Sequence, residues 1–326
     1  MTENEGQENN LNGDAPRQDG LALALGGGMA RGFAHIGVLN VLERNGIRPN
    51  IVAGTSIGSV VGAAYLAGKL KDLEEWALSL NRLKIMSYLD LRVKSAGLIG
   101  GKRLNSLLEQ NFQDMQVEDL PCPFRTIAAD LVTGHEIWIK RGSLIEAMKA
   151  SFALPGVFPP VERRGRYLVD GALVNPVPVS ACQAMNARMT IGVDLNADII
   201  GKAAKPGQSY PTVAGFDLLD DKDVPEDQKK KFTSGITKRL FRREEESPSL
   251  FGVMVSSLNI MQDRLTRSRL AGEPPDIHIK PLIGHIGLLE FEKASELIGE
   301  GEAAALRALP EIKAAMDVLL PAPYVD

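Results

Sequence analysis

From residue 21 onward, short apolar runs alternate with longer stretches whose apolar positions recur every three or four residues. Leu21-Ala22-Leu23-Ala24-Leu25 is apolar throughout and enters Gly26-Gly27-Gly28, which predicts a buried strand running into a glycine loop; one turn of helix has the same pattern. Phe33, Ile36, Val38, Leu39 and Leu42 keep helical spacing up to Asn45-Gly46, where glycine accepts the left-handed end of a helix. A strand over 50–53 then leads through Gly54-Thr55-Ser56-Ile57-Gly58 into a helix of small residues over 60–67. Strand, helix, strand, helix with short links is the order of a parallel sheet covered on both faces. The expected fold class is therefore α/β, a central mainly parallel sheet flanked by helices on both faces.

Further along, 69–101 reads as a helical excursion and 103–112 as another helix. Strands are expected over 124–129 and 135–140 around Val132-Thr133-Gly134, then a short helix over 144–150 and a strand over 167–169 ending at Asp170-Gly171. A proline-opened helix over 178–186 precedes a strand over 189–195. Over 197–247 apolar residues thin out between charge runs such as Lys229-Lys230-Lys231 and Arg242-Arg243-Glu244-Glu245-Glu246, which predicts a solvated insertion or lid. Helical spacing resumes over 250–270, a last strand is expected over 277–280, and 291–309 reads mostly as helix. The predicted organisation is a disordered tail over 1–20, a catalytic core over 21–196, the insertion over 197–247, and a helical extension over 248–326 that completes the same domain.

Composition narrows the function classes. Apolar residues make up 44% of 326, enough for a large core, and a net charge of −4 supplies no electrostatic footprint for nucleic acid. Cys122 and Cys182 match no zinc or redox spacing and suit a reducing cytoplasm. The first 20 residues lack the basic start and apolar run of a targeting signal, and no stretch reaches the roughly 18 apolar residues of a spanning helix. A cytoplasmic location, with membrane contact at most peripheral, is the expectation. Nothing in the sequence bears on oligomeric state.

Gly-x-Ser-x-Gly between a strand and a helix carries a mechanism. Its sharp turn exposes the Ser56 hydroxyl at a helix N-terminus, where backbone N–H groups and the dipole favour developing negative charge. The loop 26–32 frees several N–H groups to face one anion or oxyanion. A dinucleotide loop also follows a first strand, but its third glycine position here is Arg31, and the second strand ends in the serine elbow rather than a ribose-binding acid. Gly101-Lys102 lacks the following Ser or Thr of a phosphate loop. A serine needs a base. By chain order His278 or His285 could complete a triad, although His278 alternates like an ordinary strand residue and His35 reads as structural. Asp170, at a strand end before Gly171-Ala172, is the better candidate, and composition alone does not separate it from a plain turn aspartate.

Gly26-Gly27-Gly28-Met29-Ala30-Arg31-Gly32, then Gly54-Thr55-Ser56-Ile57-Gly58, then Asp170-Gly171-Ala172, closely resembles the patatin-like phospholipase family in order and in strand context. The match covers roughly 21–195, and 276–301 looks like the C-terminal extension of bacterial members. The resemblance implies a three-layer sandwich and a Ser–Asp dyad, Ser56 with Asp170, that works without histidine or cofactor, metal included. It also implies an oxyanion hole from Gly26, Gly27 and Gly28 with Arg31 nearby, to which the Ile57 amide is added. The expected substrate is a lipid or acyl ester of the phospholipid or lysophospholipid class, cleaved through an acyl-enzyme. A thioester or polyester presents the same carbonyl, and a regulatory module with weak catalysis is the contrasting class. Phe158, in the apolar segment 152–160, is expected to line the acyl groove, against the alternative of simple core packing.

Overall fold

The computed structural model describes residues 17–82, 84–85, 102–198 and 250–320. Eight strands form one sheet: β1 (Gln18–Leu25), β2 (Pro49–Thr55), β3 (Phe124–Asp130), β4 (Glu136–Ile139), β5 (Val161–Arg163), β6 (Arg166–Asp170), β7 (Met189–Val193) and β8 (Ile277–Ile279). Their order is β5-β6-β3-β2-β1-β7-β8, with β4 also paired to β3. The run β3-β2-β1-β7-β8 is parallel, while β4 and β6 lie antiparallel to β3 and β5 antiparallel to β6.

Alternation across the pleat divides the core into two layers. Leu21, Leu23 and Leu25 of β1 pack with Val52, Ile191 and the helices α1 (Ala34–Arg44) and α2 (Ile57–Leu66). On the opposite face, Ala22 and Ala24 join Ile51, Ala53 and Ile127 under α6 (Val179–Gln183). With both faces covered, the strands can be apolar at nearly every position, as their sequences are. The α/β expectation, a mainly parallel sheet between helical layers, holds.

Five more helices complete the described chain: α3 (Leu70–Leu78), α4 (Lys102–Phe112), α5 (Leu144–Ser151), α7 (Leu250–Gly272) and α8 (Ala294–Leu319). Helix α8 crosses α1 at backbone contact: a Cβ on Gly37 would collide with the Ile298 carbonyl, and one on Gly301 with the Ala34 carbonyl. The last helix is thereby seated on the first, and β8 extends the sheet beside β7.

Several boundaries differ from the sequence expectation for identifiable reasons. Order begins before residue 21, because Arg17 Nη1 donates to the Pro49 carbonyl at 2.7 Å and the Gln18 N–H to that of Arg48 at 2.8 Å. Strand β5 was not predicted; it is three residues long and only half-buried, too short for an alternation to register. Helix α8 runs on through Pro310 to Leu319 rather than stopping at 309, and Ile312 beyond the proline is fully buried. Proline removes one helical hydrogen bond, and continued burial of the apolar face offsets the loss. The tail 1–16, the segment 86–101 of the helical excursion and 199–249 of the charged insertion lie outside the described residues. Among the described residues no helix is long and apolar enough to cross a membrane.

Candidate active site

The sheet register brings two distant residues together. Thr55 of β2 is level with Ile127 of β3, and Asp170 of β6 is level with Ala128 of β3. Strand β3 thus separates the two strands while aligning their ends. Ser56, one residue past β2, donates its Oγ proton to Asp170 Oδ2 at 2.6 Å.

Ser56 adopts φ 54° and ψ −126°, outside the regions that L-residues ordinarily occupy. Such a conformation costs roughly 1–3 kcal/mol and persists only where its surroundings dictate it. Here they do. A Cβ at Gly54 would lie 2.5 Å from the Gly58 carbonyl oxygen, and one at Gly58 would run into the Leu25 carbonyl. Both flanking glycines are therefore required by backbone packed on backbone. The buried Ser151, at the end of α5, accepts the Ser56 N–H at 2.9 Å and donates to the Ile127 carbonyl at 2.6 Å. Thr55 Oγ1 donates to the Asn175 carbonyl at 2.8 Å, tying the elbow to the loop that follows Asp170.

Asp170 is 1% exposed. Its Oδ1 accepts the Ala172 N–H at 2.8 Å, so one oxygen caps the short 3-10 turn Gly171–Leu173 and the other faces the serine. Burial pushes the carboxyl up to about 6, against the opposing pull of the Ser56 hydroxyl and the Ala172 amide. No histidine enters this arrangement. His285 Nε2 lies 2.8 Å from Glu296 Oε1 at the surface, and His278 stands beside Asp194. His35 Nε2 sits 2.7 Å from the Gly26 carbonyl, and its burial drives the imidazole down to about 4, so it stays neutral at pH 7.

Backbone bonding subdivides the glycine loop. The Gly26 N–H donates to Val193 at 3.1 Å and the Gly27 N–H to Pro176 at 2.9 Å, so both are already spent. The Arg31 N–H closes a turn onto the Gly28 carbonyl. Arg31 is 4% exposed, with its Nε donating to the Ile286 carbonyl at 2.8 Å. Burial lowers it to about 10, still protonated at pH 7. These bonds hold the Gly26 and Gly27 amides to β7 and to the loop that follows Asp170, and the arginine braces the glycine loop to the chain before α8. Among the described residues no acceptor takes the N–H of Gly28, or that of Ile57 at the start of α2.

An open groove reaches Ser56 and Asp170. Its walls are mostly apolar, and include Phe33, Leu73 and Trp76, Leu107, Leu108 and Phe112 of α4, and Phe152, Leu154 and Phe158. Phe158 meets Phe152 edge to face, ring centres 5.3 Å apart, and packs against the cluster of Leu154, Val157, Val255, Leu288 and Leu289. It lines the groove and contributes to a small apolar cluster at the same time. Ser151 escaped sequence reading, since a lone serine ending an amphipathic helix carries no motif; only the fold reveals what it touches.

Ser151→Ala should leave the buried Ser56 N–H without its acceptor and lower unfolding free energy by about 1–3 kcal/mol, measurable by urea denaturation.

The family model for patatin-like phospholipases matches residues 23–182. An uncharacterized NTE family protein of Mycobacterium tuberculosis (strain ATCC 25618 / H37Rv) is 34% identical over 332 residues, covering 89% of this chain and 91% of its own. Patatin-like phospholipase domain-containing protein 6 of Homo sapiens is 36% identical over 184 residues, 54% of this chain but only 13% of that much longer protein. The solved structure of VipD from Legionella pneumophila aligns with TM-score 0.37 at 13% identity, over 93% of this chain and 77% of that one, too slight a likeness to argue from. The chain is therefore a lipid hydrolase belonging to the patatin-like phospholipase family.

Proposed function

We propose that the chain hydrolyses acyl esters of the phospholipid or lysophospholipid class through a Ser56–Asp170 dyad. The observation that carries this reading is the 2.6 Å bond from Ser56 Oγ to a buried carboxylate at the end of an apolar groove.

A serine hydroxyl is a weak nucleophile until a base removes its proton. A carboxylate of ordinary pKa is a poor base at neutral pH, and raising Asp170 to about 6 brings it nearer the working range. As Ser56 Oγ attacks the ester carbonyl, its proton passes to Asp170 Oδ2 and the carbonyl oxygen becomes an oxyanion. The Gly28 and Ile57 amides are the available donors to that oxyanion. One such donor is typically worth about 2.7–4 kcal/mol of transition-state stabilisation. Collapse of the intermediate breaks the ester C–O bond, and the leaving alkoxide takes the proton back from Asp170. Water then enters, gives a proton to the same carboxylate, attacks the acyl-Ser56 carbonyl and releases the fatty acid, restoring the Ser56 hydroxyl.

Loss of either dyad member should lower hydrolysis of a short chromogenic acyl ester by at least about 10³-fold. Ser56→Ala should also lose labelling by a fluorophosphonate probe, while Asp170→Asn should keep its circular dichroism. An Asp170→Asn enzyme with full activity, together with an inactive His278→Ala or His285→Ala enzyme, would overturn the dyad.

The pH dependence has a definite sign. Only ionised Asp170 accepts the proton, so kcat/KM should climb about tenfold per pH unit below 6 and level off above it. Stability runs the other way. A carboxyl whose native pKa is raised holds its proton longer when folded, so its contribution is fully present below about 4 and lost as pH rises through 6. Asp170→Asn should therefore match or exceed the wild-type Tm at pH 8, which thermal melts at pH 4 and pH 8 would compare.

Phe158→Asp places a charge on the wall of the groove that reaches the serine. It should reduce turnover of a long-chain ester at least about tenfold more than that of an acetyl ester, a gap read from a chain-length series. Equal losses along the series would mark Phe158 as a packing residue only.

A further inference from the structure

A second, smaller cavity also reaches the dyad. It shares Ser56, Asp170, Met29 and Leu154 with the large groove. Its remaining wall comes from Gly28, Ala172, Leu288 and the α7 side chains Val255, Leu258, Asn259 and Gln262. The side-chain polarity that α7 brings is therefore a pair of carboxamides, with no cation among the described lining residues.

The two amides lie three residues apart, on one face of α7. Gln262 is 8% exposed. The Asn259 side-chain oxygen is buried and has no hydrogen-bond partner among the described residues. A buried carbonyl oxygen without a donor is unfavourable, and native proteins seldom keep one that nothing ever satisfies. What it lacks is an N–H or O–H group arriving from the cavity.

A tetrahedral intermediate on Ser56 has two ends to accommodate. The acyl chain suits the long apolar groove, which leaves the alcohol of the ester for the other opening. We propose that the small cavity is the alcohol subsite, and that Asn259 and Gln262 bind a hydroxyl-bearing alcohol such as a glyceryl group. Asn259 Oδ1 accepts a hydrogen bond from a free hydroxyl of that group, and the Gln262 carboxamide, which both donates and accepts, takes a neighbouring oxygen. A phosphate offers acceptors only and finds no cation here, so a phosphorylated substrate keeps that group outside, at the mouth. The assignment rests on Ser56 being the nucleophile, as proposed above.

The test holds the acyl chain constant and changes the alcohol. For the purified full chain, kcat/KM is measured on 1-decanoylglycerol and on propyl decanoate, esters of one acid with aliphatic alcohols of equal carbon number. Wild type should prefer the glyceryl ester. Asn259→Leu, which keeps volume and removes the carboxamide, should lower the glyceryl-to-propyl ratio about tenfold, as loss of one well-placed hydrogen bond predicts. Gln262→Met provides the same comparison if Asn259→Leu fails to fold. A ratio that stays within twofold of wild type, or equal losses on both esters, would overturn the subsite. Fluorophosphonate labelling of Ser56 separates the two readings: a labelled wild type with an unmoved ratio defeats the alcohol subsite alone. A wild type that neither labels nor turns over either ester defeats the dyad, and the subsite with it.

Discussion

Almost everything about this site follows from the difficulty of burying a carboxylate. Asp170 is 1% exposed, and a charge withdrawn from water must be met by donors or surrender its ionisation. The fold supplies two donors, the Ala172 amide and the Ser56 hydroxyl, and leaves the group poised near 6. Fewer donors or deeper desolvation would keep the acid protonated and useless as a base. More donors would return it toward the ordinary carboxylate range and weaken its basicity. The serine hydroxyl is thus part of what makes its partner's burial tolerable.

That pairing requires the two residues to meet within hydrogen-bond reach from opposite sides of β3. Parallel pairing of β2 and antiparallel pairing of β6 to the same strand sets their levels, and Ser151 fastens the elbow to the Ile127 carbonyl at that level. The glycine loop is braced independently. Its first two amides hold to Val193 and Pro176, while Ala30 bonds to Leu288 and Arg31 to Ile286, so a segment near the C-terminal end of the chain steadies one near the beginning. A small apolar cluster of Leu154, Val157, Val255, Leu288 and Leu289 sits beside the dyad and joins α7 to the segment carrying Phe158.

Legibility in the sequence tracked how local each determinant is. The strand–glycine and strand–elbow–helix units could be read because each is a short pattern whose geometry its own residues impose. Core strands and helices appeared within a few residues of their expected places for the same reason. Strand β5 did not, since three half-buried residues owe their conformation to the neighbouring strand. Helix α8 outran Pro310 because its apolar face remains seated. Gly26, Gly27 and Arg31 were read as a group with the oxyanion, and the bonds of the two glycine amides and of the arginine side chain reach Val193, Pro176 and Ile286, far along the chain.

By itself the sequence determined that Ser56 occupies a strained elbow between strand and helix, that a glycine loop precedes it, and that an aspartate ends a later strand. Glycine spacing and hydrophobic period carry that information along the chain. The tertiary structure alone decided that Asp170 rather than a histidine touches the serine, and that Ser151 pins it. It also decided which amides remain open and that α7 brings two carboxamides to the far opening. Those outcomes depend on sheet register and on burial, and both arise only when segments far apart along the chain are packed together.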